Sequence, residues 1–121
     1  MIDHVTLRTK NLDVLSTFYE AILAPLGGRK LYTYDGAAAG FGRGDVANLW
    51  LSASAEAPSS VHVALAGATR AEVDAFYKAA IAAGARDNGK PGLRPDYHAH
   101  YYGAFVIDPD GNNIEAVCHK G

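Results

Sequence analysis

The tetrapeptide HVAL at residues 62–65 repeats HVTL at residues 4–7, near the start of the chain. The pair Phe76-Tyr77 likewise repeats Phe18-Tyr19, and both matches have the same separation of 58 residues. This separation is close to half of the 121 residues in the chain, and a fixed separation of that kind is the mark of an internal repeat. The sequence therefore indicates two copies of one structural unit.

Each copy contains the same succession of secondary-structure patterns. Apolar residues at helical spacing predict a helix over residues 12–26 in the first copy and over residues 70–83 in the second. After the strand that opens each copy, further strands are expected at residues 30–34, 38–42, 47–52, 85–88, 101–107 and 113–117. The expected fold is α+β, a single domain over residues 1–121, with βαβββ module 1 at residues 1–56 and module 2 at residues 60–121.

The composition is that of a soluble globular protein and excludes several kinds of partner. Apolar residues make up 49% of the chain and charged residues 20%, and the formal net charge is −2. Without a run of basic residues, the chain has no electrostatic footprint for nucleic acid or for an anionic membrane. Cys118 is the only cysteine, which rules out an internal disulfide and favours a reducing compartment. We therefore expect a cytoplasmic protein.

Three residues that bind metals well are expected on the strand face that the helices leave open. Alternation along the strands places His4 and His62 at equivalent repeat positions, opposite the Val and Leu residues that face the helices. The same alternation places Glu115 on that open face. Two imidazoles and a carboxylate form a site for one divalent metal such as Zn, Ni, Co, Fe or Mn, with positions left for water or substrate. The alternative is that each histidine only bonds a neighbouring carbonyl.

The segment at residues 84–103 is predicted to contain a long connection, and long connections are commonly functional or disordered. His98 or His100 is a candidate general base, because imidazole exchanges protons near neutral pH. Arg94 is a candidate for holding a substrate carboxylate or phosphate. The alternative is a surface loop with exposed histidines.

Two aromatic residues are candidates for the wall of a substrate cleft. Trp50 is expected on the open face of its strand, where its ring would form an apolar or stacking surface. Tyr102, at the entry to the penultimate strand, is expected to act similarly. Cys118 follows Glu115 by three positions, so it is expected on the opposite face as a packing residue.

The closing motif DPDGNNIEAV at residues 108–117 completes the pattern. Together with the paired βαβββ modules and the two HV-x-L strand starts, it resembles the vicinal oxygen chelate superfamily. This superfamily contains glyoxalase I, bleomycin- and fosfomycin-resistance proteins, methylmalonyl-CoA epimerase and extradiol dioxygenases. The resemblance covers the whole chain. It implies curved mixed sheets that form an open, barrel-like, U-shaped cleft around a metal, in a protein that is frequently a homodimer.

The resemblance implies that His4, His62 and Glu115 are the metal ligands. Glyoxalase I members add a glutamate in the last strand of the first module, and Trp50 stands at the matching position here. A tryptophan cannot bind a metal, so ordinary glyoxalase I chemistry would lack one of its two carboxylates. The remaining set is similar to the facial triad of the extradiol dioxygenases.

The expected function is therefore that of a metal-dependent enzyme acting on a small substrate with two vicinal oxygens. Lyase, isomerase and extradiol-type dioxygenase chemistry all remain open. Glu115 is expected to be catalytic, with His98 or His100 replacing the missing carboxylate as a proton shuttle. The alternative is a non-catalytic protein that binds a small molecule or drug, similar to the bleomycin-resistance members.

Overall fold

The computed structural model describes residues 1–121 and contains the βαβββ succession twice. Module 1 comprises β1 (Val5–Thr9), α1 (Leu12–Leu23), a 3₁₀ turn (Ala24–Leu26), β2 (Arg29–Tyr34), β3 (Ala38–Gly42) and β4 (Leu49–Ala53). Module 2 comprises β5 (His62–Ala66), α2 (Arg70–Ala82), β6 (Arg86–Leu93), β7 (Tyr102–Ile107) and β8 (Asn113–Cys118).

The two modules have the same sheet topology. Their strands form two separate four-stranded sheets, in the orders β1-β4-β3-β2 and β5-β8-β7-β6. In each sheet the opening strand pairs parallel with the closing strand, and the other neighbours pair antiparallel. The α+β fold of two βαβββ modules is thus confirmed, with two open sheets and no closed barrel.

The helices cover one face of each sheet and join the modules. α1 contacts β3 and β4, α2 contacts β7 and β8, and the two helices contact each other. The repeated aromatic positions Phe18, Tyr19 and Phe76 are buried between them. Truncating a buried phenylalanine to alanine typically costs about 3–5 kcal/mol, so these repeats hold the core together. Neither α-helix is long and apolar enough to cross a membrane.

The turn between β7 and β8 connects module 2 to α1. Asp108 is 3% exposed and accepts hydrogen bonds from the Tyr19 hydroxyl at 2.5 Å and from the backbone N–H and side-chain Nδ2 of Asn112, both at 2.9 Å. Burial and the Asp108 carboxylate raise the pKa of Tyr19 well above its ordinary value. Asp108 and Asn112 therefore belong to the core, because buried polar groups must be paired.

Two element boundaries differ from the predictions. The first helix was expected to reach residue 26, but α1 ends at Leu23 because Pro25 interrupts the α-helical hydrogen bonds, and a 3₁₀ turn follows. The strand expected at residues 85–88 extends to Leu93, so the long connection shortens to residues 94–101. β6 is an edge strand with bulges, and such a strand tolerates the Gly89 and Pro91 that break the sequence pattern.

Candidate functional site

The open face of module 2 brings His62 and Glu115 together. Glu115 lies in β8, and its neighbours on the adjacent strands are Ala64 and Phe105. Its side chain is only 1% exposed, and its Oε1 lies 2.8 Å from Nε2 of His62, whose side chain is 50% exposed. A buried carboxylate is costly unless it is paired, and His62 supplies one partner from the side that faces solvent.

Tyr101 is a residue of this site that the sequence analysis did not select. Its hydroxyl donates a hydrogen bond to Oε2 of Glu115. Burial and this bond raise the pKa of Tyr101. Gly103 leaves the space for the contact, since a Cβ there would lie 3.2 Å from Cε1 of Tyr101 and 3.4 Å from Oε2 of Glu115. Both carboxylate oxygens of Glu115 are thus engaged within the chain.

The Tyr102 side chain lies on the face of the sheet opposite to the one predicted. Its hydroxyl donates to Oδ1 of Asp74 at 2.6 Å, and the guanidinium of Arg70 lies 5.2 Å from its ring centroid. Both partners belong to α2, so the Tyr102 side chain lies on the helix side of the sheet. Its backbone partner is Cys118, which is buried on that same side as expected. The expectation that Tyr102 lines the cleft is therefore corrected, and the preceding tyrosine occupies that place.

The two loop histidines lie outside direct contact with Glu115. His98 Nε2 is 2.7 Å from Nδ1 of His119, and the His98 ring packs edge-on against Tyr101 at 5.3 Å between centroids. The backbone N–H of His100 donates to Nδ1 of His98 at 3.2 Å. His98 is thus one side chain removed from the carboxylate, and His100 lies behind it.

Arg94 donates hydrogen bonds to the backbone just before it, and its guanidinium lies against an aromatic ring of the open face. Its guanidinium donates to the carbonyl oxygens of Lys90 and Gly92, at 2.7 and 2.8 Å. Its Cζ lies 5.3 Å from the ring centroid of Phe105, which itself neighbours Glu115. The structure therefore places a positive charge at the edge of the His62–Glu115 pair, although two of its donors are already used.

The open face of module 1 carries His4 and Trp50. His4 precedes β1 and is exposed, and its Nδ1 lies 2.8 Å from Oδ1 of Asp3. The Trp50 ring stacks on those of Tyr32 and Tyr34, with centroid distances of 5.7 and 6.2 Å. An open pocket of about 560 Å³ is lined by His4 and Trp50 together. This face is an aromatic surface beside a single histidine.

The predicted ligand set is divided between these two faces. Within one chain, no group of three or more His, Cys, Asp or Glu residues is placed to hold a metal. The modules join through their helices, and each open face lies on the far side of its own sheet. His62 and Glu115 meet in module 2, whereas His4 lies on the open face of module 1. Alternation along strands predicts the faces correctly but does not fix how two sheets are arranged.

The sequence matches a family model along nearly its whole length. The model is that of the Glyoxalase/Bleomycin resistance protein/Dioxygenase superfamily, and the match covers residues 1–116. The chain therefore belongs to this superfamily, as the resemblance in its motifs implied. A comparison with curated proteins gives no match.

Solved structures share this fold over the full chain. A glyoxalase/bleomycin resistance protein from Albidiferax ferrireducens T118 is 26% identical, with a TM-score of 0.82 over 95% of this chain and 96% of the other. A glyoxalase/bleomycin resistance protein/dioxygenase family enzyme from Burkholderia phytofirmans PsJN is 19% identical, with a TM-score of 0.76 over 98% of each chain. A lactoylglutathione lyase from Agrobacterium tumefaciens is 20% identical, with a TM-score of 0.72 over 98% of this chain and 92% of the other.

Proposed function

We propose that this protein is a metal-dependent enzyme that acts on a small substrate with two vicinal oxygens. The observation that carries the proposal is the His62–Glu115 pair, in which a carboxylate that is 99% buried approaches a half-exposed imidazole at 2.8 Å. An imidazole and a carboxylate on one open sheet face are two of the three ligands of a catalytic metal site. The third ligand in this proposal is His4.

The donor set fits a divalent metal of the borderline class. His62 presents its Nε2 toward Glu115, and the half-exposed side chain leaves the pair open to solvent on one side. Zn, Ni, Co, Fe and Mn all accept two imidazoles and one carboxylate. When bound, such a metal acts as a Lewis acid on the two substrate oxygens. Lyase and isomerase chemistry suit any of these ions, whereas extradiol-type oxygenation requires iron or manganese.

A homodimer would complete the proposed ligand set. β1 and β5 are the edge strands of their sheets, and the ligands lie at or beside these edges. A second copy that sets its module 1 beside module 2 of the first would bring His4 of one chain toward His62 and Glu115 of the other. Edge strands are also the surfaces that accept a further strand most readily.

Proton transfer in this proposal involves residues that surround Glu115. Glu115 would serve as the base, and Tyr101 holds its second oxygen in place. His98 contacts the Tyr101 ring and is the better placed of the two loop histidines to exchange protons with solvent, with His100 behind it. Arg94 contributes positive charge at the edge of the site, which favours an anionic substrate group. We propose that the enzyme works in the cytoplasm.

Metal analysis of the intact protein tests this proposal. Tag-free protein purified without chelators is analysed by mass spectrometry, alongside His4→Ala, His62→Ala and Glu115→Gln. His119→Ala is the matched control, because it removes an exposed histidine that lies outside the ligand set. We expect about one divalent metal per chain in the parent and the control. Each ligand variant should lose more than about 100-fold in metal affinity, since even a residue that only orients a ligand is worth roughly 10- to 100-fold.

The outcome against the proposal is equally definite. If the protein takes up no metal after incubation with Zn, Ni, Mn and Fe(II), the proposal of a metal-dependent enzyme is wrong. If His4→Ala retains the metal while the other two ligand variants lose it, His4 is not a ligand and the proposal of a site shared between two chains is wrong. Light scattering on the same samples gives the number of chains per particle and tests the homodimer.

A second candidate function is the non-catalytic binding of a small molecule. The specific observation in its favour is the stack of Tyr32, Trp50 and Tyr34 on the open face of module 1, because aromatic rings without a nearby nucleophile serve binding. Metal uptake without turnover of any vicinal-oxygen substrate, including the thiol adduct of methylglyoxal, would favour this second function.

A further inference from the structure

One polar atom beside the His62–Glu115 pair has no hydrogen-bond partner. This atom is Oδ1 of Asn113, and it is buried, so water does not reach it. Asn113 opens β8, pairs with His62 of β5 in the strand register and lies two residues before Glu115. Buried polar atoms are almost always paired, because an unpaired acceptor keeps the full cost of losing its water. The donor for this oxygen must therefore come from a neighbouring side chain.

The corresponding asparagine of module 1 is in a different state. Asn48 lies next to His4 in the strand register, just before β4 begins. It is exposed, and its Nδ2 donates to the carbonyl of Asp3 at 3.2 Å. The repeated fold therefore does not itself require a buried, unpaired amide oxygen, and this feature is particular to module 2.

The imidazole beside Asn113 has the complementary need. Nε2 of His62 lies 2.8 Å from Oε1 of Glu115, and this is the only side-chain hydrogen bond of His62. When a neutral histidine binds a metal through Nε2, its ring proton lies on Nδ1. A histidine that binds a metal almost always donates this second N–H to an acceptor nearby. His62 as a metal ligand therefore needs an acceptor for Nδ1–H.

The open face of module 2 offers His62 one unused acceptor. Both oxygens of Glu115 are engaged, one by His62 itself and the other by Tyr101. The other strand neighbours on this face have apolar side chains, and they are Ala64, Phe105 and Ile107. Neighbouring strands lie about 4.8 Å apart, so the Asn113 amide and the His62 ring start from adjacent positions and can meet by side-chain rotation alone.

We propose that Asn113 is the positioning residue for His62 in the metal-bound protein. Its Oδ1 accepts a hydrogen bond from Nδ1–H of His62, which keeps the ring proton off Nε2 and leaves Nε2 for the metal. The inference rests on the metal site of the proposed function and adds to it a residue that touches neither metal nor substrate. It also accounts for the unpaired oxygen, because the pair forms only when His62 leaves its direct contact with Glu115.

Variants of Asn113 test this inference through Zn²⁺ affinity, measured in the full chain by competition with a chromophoric chelator. Asn113→Leu has the same shape without an acceptor and should bind Zn²⁺ roughly 10- to 100-fold more weakly. Asn113→Asp keeps an acceptor and should bind at least as tightly as the parent. Asn88→Leu is the matched control, the same change at an exposed position of β6, and should bind like the parent.

The stability of the metal-free protein gives a readout of opposite sign. Asn113→Leu removes the buried oxygen that has no partner, so its urea midpoint should equal or exceed that of the parent. A residue with a purely structural role would instead lose stability together with metal affinity. Loss of Zn²⁺ affinity without loss of stability therefore identifies Asn113 as a residue that serves the metal site.

Proton NMR of Zn²⁺-loaded protein reports the hydrogen bond itself. A ring N–H that donates to a protein acceptor exchanges slowly with water, so Nδ1–H of His62 should give a resonance in the parent and in Asn113→Asp. The resonance should be absent from Asn113→Leu loaded with excess Zn²⁺, because its Nδ1–H has no protein acceptor. Isotope-labelled histidine identifies the signal as a ring N–H.

The outcomes separate this inference from the proposed function. Parent-like Zn²⁺ affinity in Asn113→Leu overturns the inference and leaves the metal site standing. Weak binding by Asn113→Asp also overturns it, since the amide nitrogen and not the oxygen would then be the working group. A urea midpoint of Asn113→Leu below that of the parent would show that the oxygen is already paired without metal. A parent that binds no metal refutes the proposed function, and the inference with it.

Discussion

The open faces of the two modules differ, although the modules share one fold. In module 1 the face presents the stacked rings of Tyr32, Tyr34 and Trp50 and an exposed histidine, His4. In module 2 it presents a buried carboxylate, Glu115, held by His62 and Tyr101. The helix-facing residues, in contrast, repeat closely between the modules. The two modules are therefore more alike on the side of each sheet that stabilises the fold than on the side that no helix covers.

The same contrast extends to the last turn of each module. In the turn between β7 and β8 Asp108 is buried, whereas the turn between β3 and β4 is exposed and holds Asp45. Asp108→Ala would leave the Tyr19 hydroxyl and the Asn112 donors unpaired in the core, at a cost of about 3–5 kcal/mol. Asp45→Ala is expected to change stability by less than about 0.5 kcal/mol. Urea unfolding of both variants measures the difference, and equal costs would contradict a turn-specific role.

The glycine beneath each open face provides the next comparison. A Cβ at Gly40 meets three Trp50 ring atoms at 2.8–2.9 Å, whereas a Cβ at Gly103 meets Tyr101 at 3.2 Å. We expect Gly40→Ala to cost about 2 kcal/mol and to change the near-ultraviolet circular dichroism of Trp50, because a ring fixed by its own hydrogen bond must move. Gly103→Ala should cost less than about 1 kcal/mol, since smaller shifts relieve a looser contact. An unchanged Trp50 signal in Gly40→Ala would show that the Trp50 ring is not held rigidly.

The fold could be predicted because it depends on patterns that are local in the sequence. The HV-x-L starts and the Phe-Tyr pairs fix two strands and two helices, and the apolar stripes leave one arrangement of layers. The end of β6 could not be predicted, because Gly89 and Pro91 break the strand pattern while pairing with β7 still holds the edge. Tertiary pairing overrides local propensity there.

The site could be predicted only in part, for two physical reasons. Alternation gave the correct faces for His62 and Glu115, but it does not give the residue at which a strand begins. A shift of one residue at the entry to β7 exchanges Tyr101 and Tyr102 between faces. The separation of His4 from the other two ligands follows from helix-to-helix contact between the modules, which strand patterns do not encode.

Alkaline unfolding compares the two repeated tyrosines, Tyr19 and Tyr77. Burial raises the pKa of both, but Tyr19 is raised further because it is fully buried beside Asp108. The folded state keeps the Tyr19 proton when the unfolded chain releases it near pH 10, so stability is constant below that pH and falls above it. The contribution of Tyr19 is about 1.4 kcal/mol per pH unit.

The measurement is the urea midpoint between pH 8 and pH 11. Tyr19→Phe is expected to be less stable at pH 8 and to lose less stability above pH 10, while Tyr77→Phe should follow the parent curve more closely. Identical slopes for the parent and Tyr19→Phe would mean that the Tyr19 proton is not retained on folding. The comparison then separates the buried Tyr19 contact from its partly buried counterpart, Tyr77.

The two repeat-related histidines give the smallest expected effect and the most direct comparison. His62→Ala leaves buried Glu115 with Tyr101 alone and should cost about 1 kcal/mol, since the half-exposed position lets water replace part of the lost contact. His4→Ala removes an exposed pair with Asp3 and should cost less than about 0.5 kcal/mol.

Double-mutant cycles with Glu115→Gln turn this difference into a test of the divided site. In chelator-treated protein, His62 should couple to Glu115 and His4 should not, because only the first pair is in contact. With metal present, and with protein concentrated enough for two chains to form one particle, His4 is expected to gain a coupling with Glu115. A coupling that appears without metal would place the two side chains together by protein contacts alone. No coupling in either condition would exclude His4 from the proposed metal site.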